Sequence, residues 1–219
     1  MYVVEKFVSI NGESRRAGQL AVFIRFRGCN LDCSYCDTKW ANINSCPAEE
    51  MTPDEIYEYI RSTGVTNVTL TGGEPLIQKD IDVLLKILSE DKDLYVEIET
   101  NGSADVSFVK EIKNPPSLTI DYKSPSSGMN KKMLMDNYKY IDGSDTVKFV
   151  CGSHEDLERA YEIIRKYDLA KRCAVYISPV FGAIELSDIV DFMKDKKLNG
   201  VNMQLQMHKY IWAPDEKGV

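Results

Sequence analysis

The chain has 219 residues, a formal net charge of −7 and 43 % hydrophobic residues. That length suits one large domain, and no Pro/Gly/Ser-rich tract, low-complexity run or internal repeat marks a linker, so one domain over 1–219 is expected. The acidic balance argues against a bulk grip on nucleic acid. With no signal-peptide pattern and no run of about 18 apolar residues, a soluble cytoplasmic protein away from membranes is expected.

Short runs rich in β-branched and aromatic residues alternate with helical patterns along the chain. A strand over 21–26 leads into a cysteine-rich segment, 28–38. A helix then opens at Thr52, with Pro53 at its first position and Glu55 completing a capping box. Strand 67–71 precedes a helix near 80–90, strand 94–99 one near 104–113, and strand 117–121 one near 129–136. Strand 146–150 precedes a helix over 154–166 capped by Ser153, and strand 173–177 one over 187–195 capped by Ser187. A last strand is predicted over 201–206.

Alternation of this kind implies an α/β fold with a parallel sheet and right-handed crossovers. Six or seven such units fit a doubly wound sheet or a partial βα barrel, and both place their chemistry at the carboxyl ends of the strands. The strand faces favour the barrel. Val22, Ile24 and Phe26 share one face while Phe23 and Arg25 share the other; Glu97 and Glu99 oppose Val96 and Ile98; Lys148 opposes Val147 and Phe149; Asn202, Gln204 and Gln206 line one side. A doubly wound sheet buries Val, Ile and Leu on both faces, whereas a barrel holding a polar ligand has a use for inward charges.

Four of the six cysteines fall early, and Cys151 and Cys173 stand alone as expected buried thiols. Cys29, Cys33 and Cys36 lie within eight positions, directly after a core strand. A structural zinc site could recruit Cys46 as its fourth ligand, but paired C-x2-C knuckles are missing. A ferredoxin-type cluster needs four cysteines. The third option is an iron–sulfur cluster held by three thiolates, with one iron open to an outside ligand.

The spacing C-x3-C-x2-C, with Tyr35 before the last cysteine, resembles the radical S-adenosylmethionine (SAM) superfamily. So does "TLTGGEP" (69–75) at a strand end, followed by "ETNGS" (99–103) at the next. The resemblance implies a partial, modified βα barrel, a 4Fe-4S cluster on Cys29, Cys33 and Cys36, and SAM on the open iron. The flanks, "FVSINGESRRAGQLAVFIRFRGCNLDCSYCDTKWA" (7–41) and "QLQMHKYIWAPDEKGV" (204–219), resemble the 7-carboxy-7-deazaguanine synthase family of queuosine biosynthesis. That resemblance implies radical ring contraction of 6-carboxy-5,6,7,8-tetrahydropterin with loss of ammonia. It also implies Mg²⁺, a homodimer, and an electron donor such as flavodoxin or ferredoxin.

Carried over position by position, the family pattern makes Thr38 the Mg²⁺ ligand, although a Thr after such a loop otherwise suggests a helix cap. It puts Ile10, Asn11, Gly12, Glu13, Arg25, Thr71, His208 and Val219 at the substrate, with Arg25 gripping a carboxylate. Tyr35, Cys36, Asp37, Gly73, Glu99, Asp121, Tyr122, Lys123 and Ser178 fall at the cofactor, and Glu97 becomes a substrate-side acid or base. Taken alone, His208 beside aromatics suggests a packed surface residue, and His154 beside a cap suggests exposure. Ser14 stands where the family commonly has Gly, and Asp121-Tyr122-Lys123 where many members have Ser-Pro-Lys. Two rivals compete with the synthase. A glycyl-radical activating enzyme shares the cysteine spacing but needs a broad protein-docking groove. A zinc or electron-transfer module would have no chemistry of its own.

Overall fold

The computed structural model describes residues 1–214 and 216–219. Its strands and helices, in chain order, are β1 (Tyr2–Ile10), β2 (Leu20–Phe26), β3 (Glu49–Glu50), α1 (Pro53–Thr63), β4 (Asn67–Gly72), α2 (Ile81–Glu90), β5 (Tyr95–Thr100) and α3 (Ser107–Lys110). The second half adds β6 (Ser117–Tyr122), β7 (Thr146–Cys151), α4 (His154–Lys166), α5 (Leu169–Arg172), β8 (Ala174–Pro179), α6 (Leu186–Lys196), β9 (Val201–Met203) and α7 (His208–Ile211). Among the described residues, no helix is long and apolar enough to cross a membrane.

The nine strands form one sheet in the order β3-β1-β2-β4-β5-β6-β7-β8-β9. From β2 through β9 the neighbours are parallel and sequential, while β1 runs antiparallel to both β2 and β3. Strand order never reverses along the parallel stretch, so there is no doubly wound switch point. The sheet is an open βα barrel with β3 and β9 at its edges. Its outer face carries Val22, Ile24, Val68, Leu70, Ile98, Leu118, Val147 and Ile177, all buried beneath the helices. The inner face carries Arg25, Thr71, Glu97, Glu99, Thr119, Asp121 and Lys148, the alternation expected from sequence.

Local chemistry explains most of the element ends. Thr52 accepts from the Glu55 amide while the Glu55 carboxylate accepts from the Thr52 amide, and Gly64 ends α1 in the left-handed region. Ser153 caps α4. Four expectations need correction. Helix α6 starts one residue earlier, with Glu185 at the cap and Ser187 inside the first turn. The helix expected over 104–113 shrinks to four residues, because Asp105 caps Ser107 locally and Asn114 turns left-handed before Pro115-Pro116. In place of a helix over 129–136 there are two short 3-10 turns, since Leu134 N–H is drawn to Gly102 O and Met133 Sδ accepts from Lys123 N. Strand β9 stops at Met203, and Gln204 and Gln206 go to other partners. Strand β1, with an edge in water and mixed polarity, was not anticipated at all.

The gap between the two halves of the open sheet is laced by side chains. Gln204, just past β9, accepts from Ser14 N at 2.7 Å and donates to Ser14 O at 3.0 Å, so one side-chain amide reproduces a rung of backbone ladder. Met207 N–H adds a bond to Gly12 O at 3.0 Å. The strap after β1, residues 11–14, thereby lies inside the curved sheet as its floor.

Candidate active site

A cavity of about 560 Å³ occupies the barrel interior at the carboxyl ends of the parallel strands. Its walls come from the loop after β2, the ends of β4 to β7, the segment after β8, and the chain from Gln206 onward, including Val219. Four connections shape it.

The first is the cysteine loop. Gly73 approaches it so closely that a Cβ there would stand 1.7 Å from Gly28 O. Gly73 N–H donates to Phe26 O and Glu74 N–H to Gly28 O. Glu74 is fully buried, and its carboxylate accepts from Leu76 N, Asn101 N and the Thr100 hydroxyl at 2.7–3.0 Å. Burial pushes its acidity down in strength, and these three donors pull the other way. Glu74 therefore ties the ends of β4 and β5 together, a task invisible in the motif.

The second is the surroundings of the thiols. Cys29, Cys33 and Cys36 all line the cavity, while Cys46 does not. Asn101 Nδ2 and Leu31 N point at Cys29 Sγ from 3.5 and 3.4 Å, and Asn42 Nδ2 points at Cys36 Sγ from 3.9 Å. Burial pushes the Cys29 thiol up and the Cys33 thiol up to about 11. Among the described residues, no three His, Cys, Asp or Glu side chains converge as ligands of a single ion. A multi-iron cluster takes its thiolates on separate corners, and N–H donors to those sulfurs tune it. The donor set fits a cluster.

The third is the floor. Thr69 donates to Asn11 Oδ1, and Ser14 Oγ lies 3.2 Å from Thr119 Oγ1. Thr119 in turn donates to Glu97. Gly12 packs on His208, where a Cβ would meet Nδ1 at 2.3 Å. His208 is half-buried in the cavity wall rather than at the outer surface, and burial pulls its imidazole below the usual range. His154 is exposed, as expected.

The fourth is a set of ion pairs. Arg25 Nε holds Glu5 Oε2 at 2.8 Å, leaving both terminal nitrogens without a partner among the described residues. Thr71 donates to Glu99 at 2.7 Å. Lys123 pairs with Asp121 at 2.9 Å; Lys148 pairs with Glu13 at 3.0 Å, while Gln206 donates to the other Glu13 oxygen at 2.7 Å. Near the mouth Asp37 accepts from Thr38 at 3.0 Å and from Lys209 at 3.1 Å; burial would raise it, but the ammonium outweighs that and holds it below the usual carboxylate range. Thr38 stands at the N-cap position of a short 3-10 turn (Lys39–Asn42), as the cap alternative expected, but makes no side-chain cap bond there.

Ile10, Asn11, Gly12, Glu13, Arg25, Tyr35, Asp37, Thr38, Thr71, Gly73, Glu99, Asp121, Lys123, His208 and Val219 thus share one cavity. Three candidates do not line it. The Tyr122 side chain points outward into the core, tilted against Phe149, with its hydroxyl accepting from Arg159; neighbouring positions on a strand face opposite ways, and Asp121 takes the inner one. Glu97 is inward but lies beneath the strap, under Ser14 and Thr119. Ser178 is inward and fully buried, and its hydroxyl has no hydrogen-bond partner among the described residues. Sequence reasoning missed Glu5, Phe7 and Asn42; it placed Lys148 on the inner face and Asn101 in a strand-end motif but gave neither a role of its own. The stacked pair Phe7–Phe23, with ring centroids 5.1 Å apart, lines the same wall as Glu5. Only the period-two pattern of β1 could have announced Glu5 and Phe7.

An open barrel with three thiols after its first parallel strand defines the radical SAM class, and the family model described as "Radical SAM superfamily" matches residues 23–195; the chain belongs to that superfamily. The class implies an iron–sulfur cluster and SAM. Within it, the chain belongs to the 7-carboxy-7-deazaguanine synthases. It is 56 % identical over 217 residues to the 7-carboxy-7-deazaguanine synthase of Clostridium acetobutylicum, covering 99 % of this chain and 98 % of that one. Identity to the enzyme of the same name from Chlorobaculum tepidum is 36 %, over 99 % and 96 % of the two chains. In fold, the crystal structure of QueE from Escherichia coli matches with a TM-score of 0.71 and 21 % identity over 94 % of each chain. Neither the activase nor the zinc-module alternative is favoured.

Proposed function

We propose that the chain is a single radical SAM domain that converts 6-carboxy-5,6,7,8-tetrahydropterin to 7-carboxy-7-deazaguanine with release of ammonia, in queuosine or other 7-deazapurine synthesis. In this reading it works in the cytoplasm as a homodimer, with Mg²⁺ and a flavodoxin or ferredoxin as electron donor. When bound together, the cluster and SAM supply the one-electron radical chemistry that starts the ring contraction.

The observation that carries the substrate assignment is Arg25. Its fork lines the cavity with both terminal nitrogens without a partner among the described residues, suited to a carboxylate, while Asn11 and Glu13 on the floor offer acceptors for a guanine-like edge. High identity over the full length supports the same substrate. Cys29, Cys33 and Cys36 hold the cluster, with Asn101 and Asn42 donating to the sulfurs. Gly73, Glu99, Asp121, Lys123, Tyr35 and Asp37 form the cofactor half. Ile10, Gly12, Thr71, His208 and Val219 complete the substrate half, and the chain after α7 excludes water. Thr38 would offer a hard oxygen to Mg²⁺ at the cavity mouth. Glu97 supports the floor through Thr119, beneath the strap rather than on the cavity wall.

The test is anaerobic reconstitution with iron and sulfide, then incubation with dithionite, SAM, Mg²⁺ and the carboxytetrahydropterin. The expected product is 7-carboxy-7-deazaguanine by mass spectrometry, and its absence from a cluster-loaded sample sinks the assignment.

A further inference from the structure

Lys148 is a buried cation on the inner face whose purpose the family pattern leaves open. Its side chain is 8 % exposed, with Nζ 3.0 Å from Glu13 Oε2 and 3.7 Å from Asp121 Oδ2. A buried ammonium is costly unless paired, and here two carboxylates from distant parts of the chain share it. Glu13 belongs to the floor strap. Asp121 ends β6, where Lys123 also holds its Oδ2. The other oxygen, Asp121 Oδ1, is buried without a hydrogen-bond partner among the described residues. A buried acceptor of that kind is open to an N–H or O–H from a bound ligand or an ordered water.

We propose that Lys148 is a positioning residue that couples the two halves of the cavity: one ammonium shared between Glu13 and Asp121 makes the pterin and SAM each bind more tightly when the other is present. The inference rests on the functional reading above for what fills each half. A ligand that donates to Glu13 draws on the negative charge that now holds Lys148. The ammonium, on its flexible stem, can then close the longer separation to Asp121. That fixes Asp121 with Oδ1 aimed at the second ligand, so the second ligand bears less of the ordering cost. Linkage makes the effect reciprocal.

The experiment uses cluster-loaded enzyme without reductant, so that nothing turns over. SAM affinity is measured by equilibrium dialysis with and without 6-carboxy-5,6,7,8-tetrahydropterin. In the wild type the pterin is expected to tighten SAM about tenfold, equivalent to about 1.4 kcal/mol. Lys148→Met brings that factor to about one, and Lys148→Arg, whose fork can reach both carboxylates, restores most of it. Asp121→Asn cuts the other end and lowers the factor too, which keeps the idea testable if Lys148→Met does not fold. A merely structural Lys148 would weaken both ligands and leave the factor intact. A wild type without coupling, or a Lys148→Met or Asp121→Asn variant that keeps it, overturns the inference. Failure of the wild type to bind the pterin or form product overturns the functional reading instead.

Discussion

Gly73→Ala is the sharpest perturbation available at the motif after β4. The new Cβ would lie 1.7 Å from Gly28 O, half of an ordinary van der Waals separation, and 2.9 Å from Cys29 N. Both are backbone atoms and cannot rotate away, so the loop carrying Cys29 must move. Moving it breaks the 2.9 Å bond from Glu74 N to Gly28 O and disturbs the 3.0 Å bond from Gly73 N to Phe26 O. Two such bonds contribute about 1 kcal/mol each, and the overpacking costs about 1–3 kcal/mol more. The total is on the order of 3–5 kcal/mol, which for a chain of this length lowers the melting temperature by roughly 10 °C. The assay is iron and sulfide content after anaerobic reconstitution, with thermal melting in parallel. Cluster content is expected to fall with the melting temperature, before any SAM is added. If Gly73 served only the cofactor, the variant would load its cluster fully and melt within about 2 °C of wild type, and the packing argument would be refuted.

Three further substitutions probe the floor. Gly12→Ala puts a Cβ 2.3 Å from His208 Nδ1, but a side chain can swing aside; the expected result is a KM for the pterin raised roughly tenfold with melting shifted by less than about 3 °C. Ser14 sits at φ 67 in the left-handed region, so Ser14→Gly relieves about 1–2 kcal/mol of strain while losing a hydroxyl bond of about 1 kcal/mol. Urea unfolding should therefore stay within about 1 kcal/mol of wild type, and a loss above about 2 kcal/mol would show that the hydroxyl outweighs the backbone. Burial and the neighbouring Glu99 push Glu97 up, so the folded chain keeps this proton when the unfolded chain has lost it. Stability from this group is complete at low pH and declines as pH rises above the ordinary carboxylate value. Glu97→Gln should accordingly gain on wild type between about pH 5 and pH 8 in urea unfolding, and a constant difference at both ends would contradict a raised Glu97.

The parallel strands were legible because their outer residues are nearly all apolar while charged and hydroxylic residues recur on the inner face. Arg25, Glu99 and Lys148 betrayed the barrel interior by breaking the rule for a sheet buried on both faces. The capping box at Thr52 and the cap at Ser153 fixed two helices from four residues each. What escaped was decided by contacts across long stretches of chain. Met133 and Leu134 are diverted by Lys123 and Gly102, and no window around 129–136 contains that information. The side chain of Tyr122 was placed at the cofactor by analogy with its neighbours, yet strand parity already assigned it to the core. Glu5 lies on a strand whose partner, Arg25, is 20 residues away, so its ionic role appeared only with the register of β1 on β2.

Seven parallel strands are stitched by continuous backbone ladders, but the seam opposite them holds Ser14 through Gln204, a single side chain whose amide reads both its backbone groups, beside bonds from Gln206 to Glu13 and from Met207 N–H to Gly12 O. At Ser14 the ring of bonds around the cavity is therefore only as durable as one rotamer. The amide proton of Ser14 becomes a built-in gauge of breathing, because it exchanges with water when that rotamer lets go, with no need for a strand to unzip. Hydrogen exchange at this position, compared with that of a central amide such as Leu70, would separate opening of the seam from unfolding of the barrel.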